Sequence, residues 1–309
     1  MIKDITQLLK IKYPVIQGGM AHIANHVLCS AVSNAGGLGL LGSGSWDVET
    51  LKTEIIKTKA LTDKPFGVNI MLMSPYAESM SDIIIDMDVK IVTTGAGNPG
   101  IYMKKWKDAG ITVIPVVPSV ALAKRVVRNG ADAVIVEGTE AGGHVGELTT
   151  FTLVPQVVDA VDVPVIAAGG IADYRGVDAA FMLGAKGVQI GTVLLASDVC
   201  PVHMNYKEKI IKAKDTSTVV TGRTTQAPVR VLKNKMASTY LEYTKQGMPI
   251  ETLERLTLGS LRRAVNEGDL DTGSFMAGQI AGLVRHIKPV QTILDDMFLQ
   301  SRTYKENHI

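Results

Sequence analysis

The residues Glu137-Gly138-Thr139-Glu140-Ala141-Gly142-Gly143-His144-Val145-Gly146 follow the apolar run 133–136, and these two pieces together decide how the chain is read. The run is short, β-branched and without polar alternation, as expected of a strand buried on both faces. Gly142, Gly143 and Gly146 then surround a single histidine, His144. Glycines let a backbone turn sharply and approach a ligand without Cβ interference. Histidine is the side chain whose ordinary pKa suits proton transfer near neutral pH. A buried strand opening into such a loop reads as the catalytic edge of a parallel-sheet enzyme.

Working outward, seven further apolar runs resemble 133–137: residues 13–17, 38–41, 66–70, 90–94, 113–117, 163–167 and 187–190. They recur at intervals of about 20–30 residues, the size of one strand–helix unit. Between them lie helix-like segments such as 121–129 and 176–183, each followed by glycine. Eight repeats predict an α/β (β/α)8 TIM barrel; an open doubly wound sheet fits the same rhythm less well.

The rhythm breaks after Ile190. Residues 201–236 carry Lys207, Lys209, Lys212, Lys214, Arg223, Arg230, Lys233 and Lys235 against only Glu208 and Asp215, although the whole chain has a net charge of only +2. This predicts a barrel formed by 1–200 and 271–309, with 201–270 inserted as a small, basic, mainly helical subdomain. The helix-like segment 277–285 is expected to close the barrel.

The bulk composition limits the alternatives. The chain has 309 residues, 46% of them apolar, enough for one large core. Its modest net charge favours neither nucleic acid nor a membrane surface as partner. Cys29 and Cys200 offer neither metal-ligand spacing nor a disulfide framework. No apolar stretch approaches the ~18 residues of a membrane span, and the N-terminus lacks a signal-peptide pattern. A cytoplasmic protein without a metal centre is expected.

In a barrel, chemistry gathers where strands end at the C-terminal face. The strand ends here include Gly19-Met20, Asn69, Gly95, Glu137, Gly169-Gly170 and Gly191-Thr192. The last two pairs follow strands seven and eight, where barrels build phosphate sites from backbone N–H groups and a hydroxyl. Gly95-Ala96-Gly97-Asn98-Pro99-Gly100 mimics a dinucleotide fingerprint. The acid required about 20 residues later is missing, and Pro99 removes an N–H, so the segment reads as a pocket lining. Glu137 suits a base, a cofactor hydrogen-bond acceptor or a strand-end ion pair. Met20 and Met276 suit core packing equally well.

The strings Gln17-Gly-Gly-Met-Ala21, Ser33-Asn-Ala-Gly-Gly-Leu-Gly39, Asp63-Lys-Pro-Phe-Gly-Val-Asn69, Thr93-Thr-Gly-Ala-Gly-Asn-Pro99, Glu137 to Gly146, Ala167-Ala-Gly-Gly-Ile171, Gln189-Ile-Gly-Thr192 and Met276-Ala-Gly-Gln279 resemble the flavin-dependent enoyl-acyl-carrier-protein reductase II family, FabK. The related nitronate monooxygenases share the core but resemble Thr93 to Pro99 and the basic segment less. The resemblance implies a non-covalent FMN. Its phosphate would lie at Gly169, Gly170, Gly191 and Thr192, and the rest would be lined by Gly19, Met20, Asn69, Glu137, Met276, Gly278 and Gln279. Gly95, Ala96, Gly97 and Asn98 would line the substrate, and His144 would be the general acid.

The activity so implied takes hydride from NADH or NADPH to the β-carbon of a trans-2-enoyl thioester on acyl carrier protein, in fatty-acid synthesis. A homodimer and a monovalent cation are also implied. The alternatives are nitronate oxidation by O2 and a flavin- or phosphate-binding protein without turnover. The chain departs from the family pattern at His22, at Val193-Leu194 and at Ala227. The basic segment would suit an acidic carrier protein or a cofactor pyrophosphate.

Overall fold

A computed structural model describes residues 4–308 of the chain; residues 1–3, at the start of the N-terminal stretch, and residue 309 lie outside it. Eight parallel strands form the barrel: β1 Val15–Gln17, β2 Gly39–Gly42, β3 Phe66–Met71, β4 Ile91–Gly95, β5 Thr112–Val117, β6 Val134–Glu137, β8 Val165–Ala168 and β9 Gly187–Ile190. The extra strand in the numbering, β7, is the two-residue Gly143–His144 within the loop after β6. The sheet runs β1-β9-β8-β6-β5-β4-β3-β2. A parallel bridge between Ile16 and Leu38, with Leu38 N–H donating to the Val15 carbonyl at 2.9 Å, joins its two edges. Each of the eight apolar runs contributes one barrel strand.

The strand alternation divides the core in two. Ile16, Leu38, Leu40, Ile91, Ile114, Ile135 and Ile166 fill the barrel interior, with Ile5 and Leu9 closing its lower end. These last two belong to the helix Ile5–Leu9, which Asp4 caps by accepting the Thr6 N–H at 2.8 Å. Val68, Val92, Val113, Val134, Val165 and Val188 point outward into the layer beneath the helices. Period-2 strands covered on both faces must be apolar on both, which is why they read as unbroken apolar runs.

Residues 201–270 hold the helices Met204–Ile211, Lys235–Lys245 and Ile250–Thr257, and also two antiparallel strands, β10 Thr218–Thr221 and β11 Val229–Leu232. β11 pairs on its other side with β7, placing Val229 opposite His144 and Arg230 opposite Gly143. Residues 218–232 are therefore stitched by a sheet to the His144 loop.

The expected closing helix at 277–285 is corrected by the structure. That segment forms only the short 3-10 helix Gln279–Leu283; the helix that packs against Tyr174–Met182 and His26–Asn34 is Val290–Phe298. Gly282 lies so near Lys214 that an added Cβ would sit 3.0 Å from its carbonyl oxygen. Glycines at 278 and 282 disfavour an α-helix, whereas Pro289 precedes Val290–Phe298 and presets its entry.

Candidate active site

The interior positions change from apolar to polar at the upper end of the barrel. Gly187 faces inward, since a Cβ there would meet Ile5; Gln189, two residues on, therefore faces inward too. Glu137, Ala168 and Gln189 lie in register across β6, β8 and β9. On the opposite wall Asn69 and Thr93 are also paired, and the Thr93 hydroxyl donates to Asn69 Oδ1 at 2.9 Å. Glu137 is half-buried, and its carboxyl has no hydrogen-bond partner among the described residues. Burial pushes it up to about 7.

Above this layer the sequence-selected residues meet in pairs. A Cβ on Gly19 would lie 2.4 Å from the Asn69 side chain, and one on Gly191 would lie 3.4 Å from Met20 Sδ. The Gly278 N–H donates to the Thr192 hydroxyl at 2.8 Å, and the Gln279 N–H donates to the Glu140 carbonyl at 2.9 Å. Gly142 packs against Ala277 and Gly278, leaving no room for a side chain, and Gly143 faces Met276 Sδ. Residues 276–279 thus bridge the Gly191-Thr192 turn to the His144 loop.

The two glycine turns adopt backbones suited to an anion. Gly169 and Gly170 have φ of +89° and +78°, a region that favours glycine. The N–H groups of Gly169, Gly170 and Thr192 have no protein acceptor among the described residues.

The loop 137–146 is fixed at both ends. Glu140 accepts from the Thr150 N–H at 2.9 Å and from its hydroxyl at 2.9 Å. It thereby caps the helix Thr150–Val158, whose own preceding residue, Thr149, makes no side-chain cap. From the other side, buried Arg230 donates Nε–H to the Thr139 carbonyl at 3.0 Å and an Nη1 hydrogen to the Thr218 hydroxyl at 3.2 Å. Arg223 pairs with Glu147, and the Val145 N–H donates to the Pro228 carbonyl at 3.0 Å. His144 keeps an exposed edge on this pinned strand, and partial desolvation of its ring lowers the imidazole below the ordinary histidine range.

Gly95, Ala96, Gly97 and Asn98 lie beside the Asn69 wall. Gly95 faces open space, Ala96 is left-handed at φ +54°, Gly97 packs on Leu72, and Asn98 Oδ1 accepts the Gly100 N–H at 3.2 Å. The loop leads into the helix Gly100–Asp108 with Pro99 at its cap, so it forms a strand–helix turn. Two of the basic residues of 201–236, Lys207 and Arg230, do not form a solvated face. Lys207 is buried, donating to the carbonyls of Ser197 and Asp198 at 2.7 and 2.9 Å. Arg230 is buried as well, whereas Lys212 pairs with Glu208 on the exposed surface.

Thr93, Gln189, Glu140 and Arg230 have no individual site role that the sequence alone assigns. Gln189 was accessible in principle, since it lies two residues beyond an inward glycine on an apolar strand. Glu140 and Arg230 act across ten and ninety-one residues, and no local pattern marks such contacts.

The fold and the polar upper end of the barrel define a (β/α)8 barrel with a candidate enzyme site. The family model for nitronate monooxygenase matches residues 3–83 and 75–300. A probable nitronate monooxygenase of Staphylococcus saprophyticus is 34% identical, covering 92% of this chain and 93% of its own. The structure of FabK from Thermotoga maritima is 50% identical with a TM-score of 0.94, covering 99% of this chain and 97% of that one. Nitroalkane oxidase from Streptomyces ansochromogenes is 26% identical with a TM-score of 0.86, covering 98% and 99%. The chain belongs to the nitronate monooxygenase family. Among the described residues no helix is long and apolar enough to cross a membrane.

Proposed function

We propose that the chain is an FMN-dependent enoyl-acyl-carrier-protein reductase that uses NADH or NADPH and serves fatty-acid synthesis in the cytoplasm. The observation that carries this reading is the 50% identity with FabK from Thermotoga maritima over nearly the whole of both chains. The probable nitronate monooxygenase of Staphylococcus saprophyticus is 34% identical.

The residues present fit FMN. The unpartnered N–H groups of Gly169, Gly170 and Thr192, with Gly191 beside them, suit a phosphate. Gly19, Met20, Asn69, Glu137, Met276, Gly278 and Gln279 would enclose the remainder, with Gln189 and Thr93 beneath it. When bound, FMN would supply the capacity to accept hydride from the nicotinamide and deliver it to the enoyl β-carbon.

The chain's own residues supply position and protons. Glu137, with a proton affinity near neutrality, can either donate to or accept from a cofactor polar atom. Reduction at the β-carbon needs a proton at the α-carbon, and His144 supplies it, directly or through water; such general acid catalysis is worth ~10²–10⁴-fold. The sheet that β7 makes with β11 holds His144 against drift, because a misplacement of about 1 Å costs rate steeply. The turn Gly95 to Asn98 lines the thioester entrance, and the exposed lysines of 201–236 face the acidic carrier. We further propose that the active form is a homodimer and that a monovalent cation stimulates it.

Nitronate oxidation is the second reading, favoured by the family model itself, with His144 as the base for an α-proton. Steady-state assays with crotonyl-acyl carrier protein and with propyl-2-nitronate separate the two. Thioester-dependent NAD(P)H oxidation supports the reductase. Oxygen uptake with nitronate but no thioester turnover supports the oxygenase, and a flavin inert to both leaves a binding protein.

A further inference from the structure

A cavity of about 470 Å³ opens within residues 205–270. Asn205, Glu208, Lys209 and Lys212 of the Met204–Ile211 helix and its C-terminal flank form one wall. Thr216, Ser217, Leu232 and Lys233 form the other, with Leu270 at the edge. Its volume falls within the ~300–1,000 Å³ range of small-molecule sites.

The charges in this cavity are unbalanced. Glu208 is engaged by Lys212 at 2.8 Å, and Asp215 nearby turns back to accept the Thr216 N–H at 3.0 Å. Lys209 and Lys233 pair with no carboxylate among the described residues. Lys209 is half-buried over the Phe275 ring, its Nζ 5.5 Å from the centroid. The Ser217 hydroxyl already accepts the Lys214 N–H at 2.8 Å, so its own hydrogen is free to donate. Desolvating an ammonium without a counter-anion is unfavourable, and an anion entering the cavity relieves that cost.

We propose that this cavity binds a small phosphorylated ligand, its phosphate held by Lys209, Lys233 and the Ser217 hydroxyl. Lysine ammonium groups act as point charges on phosphate without the planar geometry that a carboxylate shares with arginine. Leu232, Leu270 and Ala213 supply an apolar wall for a carbon skeleton attached to the phosphate. The floor is coupled to the barrel site. The Leu232 N–H donates to the Phe275 carbonyl at 2.8 Å, Val231 bridges Met276, and the Tyr206 hydroxyl donates to the Met276 carbonyl at 2.6 Å. The proposal does not depend on the chemistry at His144.

Calorimetric titration of the purified full chain, loaded with FMN so that the glycine turns at Gly169-Gly170 and Gly191-Thr192 are filled, with inorganic pyrophosphate and separately with ADP, tests the site. One saturable event is expected. Its affinity should fall at least tenfold in the Lys209→Met/Lys233→Met double variant and stay unchanged in Lys57→Met, which alters an exposed lysine on the distant-in-sequence helix Val48–Leu61, with circular dichroism and Tm confirming that both variants fold. Tighter binding of ADP than of pyrophosphate would point to a nucleotide as the source of the phosphate; equal binding would point to an inorganic anion. Binding that survives in the double variant but disappears in Thr192→Val would place the anion at the glycine turns and overturn the proposal. Absence of saturable binding to the parent chain would overturn it as well.

Discussion

Glu137 and Gln189 stand level with each other on β6 and β9, separated only by the methyl group of Ala168 on the strand between them. The small central residue leaves a shelf at the upper end of the barrel with a polar group on each side. The shelf also explains the state of Glu137. Its half-buried carboxyl has no donor among the described residues to offset the loss of water, so its proton affinity rises to about 7.

That rise has a sign in stability. The folded chain binds the Glu137 proton more tightly than the unfolded chain, so the contribution is most favourable below the unfolded carboxylate range. It is lost as pH climbs from there through about 7. In cofactor-free protein, Glu137→Gln is expected to raise stability at pH 8 by about 1–2 kcal/mol, discounted for partial exposure. The gain should vanish near pH 4. Urea unfolding at the two pH values measures it, and a destabilised variant at pH 8 would show that Glu137 is ionised and paired.

Arg230 is expected to govern the His144 loop at a distance. Arg230→Met removes the donor to the Thr139 carbonyl, at a cost of about 1–3 kcal/mol for an unpaired buried group. The loop should loosen more than the barrel does. Hydrogen exchange should rise first at Thr139 through Val145 while β1 to β5 stay protected. Uniform loss of protection would mean that Arg230 supports the whole fold instead.

Two glycines of the site should respond in opposite ways to alanine. At Gly142 a Cβ would lie 2.6 Å from the Ala277 carbonyl carbon, whereas at Gly95 it would meet nothing within 4 Å. Gly142→Ala is expected to cost about 1–3 kcal/mol through overpacking and to abolish turnover. Gly95→Ala should change stability by no more than about 0.5 kcal/mol and act on KM for the thioester. Thermal melts with steady-state kinetics on both variants settle the comparison. A silent Gly142→Ala would contradict the close approach of the two loops.

His144 should leave its mark on the pH profile. Packing lowers its pKa, so the protonated form is lost as pH rises through a value below the ordinary histidine one. Where proton delivery limits the rate, kcat should therefore fall with rising pH about a midpoint below ~6.5. That limb should disappear in His144→Ala, along with a ~10²–10⁴-fold decrease in kcat. A limb that persists in the variant would assign the proton to another group.

The barrel was legible because each strand is covered on both faces, which forces the eight unbroken apolar runs. The glycine turns at Gly169-Gly170 and Gly191-Thr192 were legible because each directly ends such a run. Segment 277–285 misled because Ile280, Ala281, Leu283 and Val284 carry a helical apolar spacing, while the close approach of Gly282 to Lys214 holds it in a 3-10 turn. The β7–β11 pairing was hidden for a different reason. It joins a two-residue strand to one more than eighty residues away, and neither partner shows alternation long enough to detect. The charge count of 201–236 also concealed Lys207 and Arg230, whose burial follows from backbone carbonyls that no sequence pattern displays.

The most direct test of the central claim is anaerobic stopped-flow absorbance on the purified protein loaded with FMN. The protein is mixed with NADH or NADPH, and then with crotonyl thioester in the same cuvette. The account predicts rapid bleaching of the flavin band by the nicotinamide and its full recovery on thioester addition, with recovery slowed in His144→Ala. A flavin band that stays unbleached by either nicotinamide yet is reduced by alkyl nitronate would contradict the reductase reading.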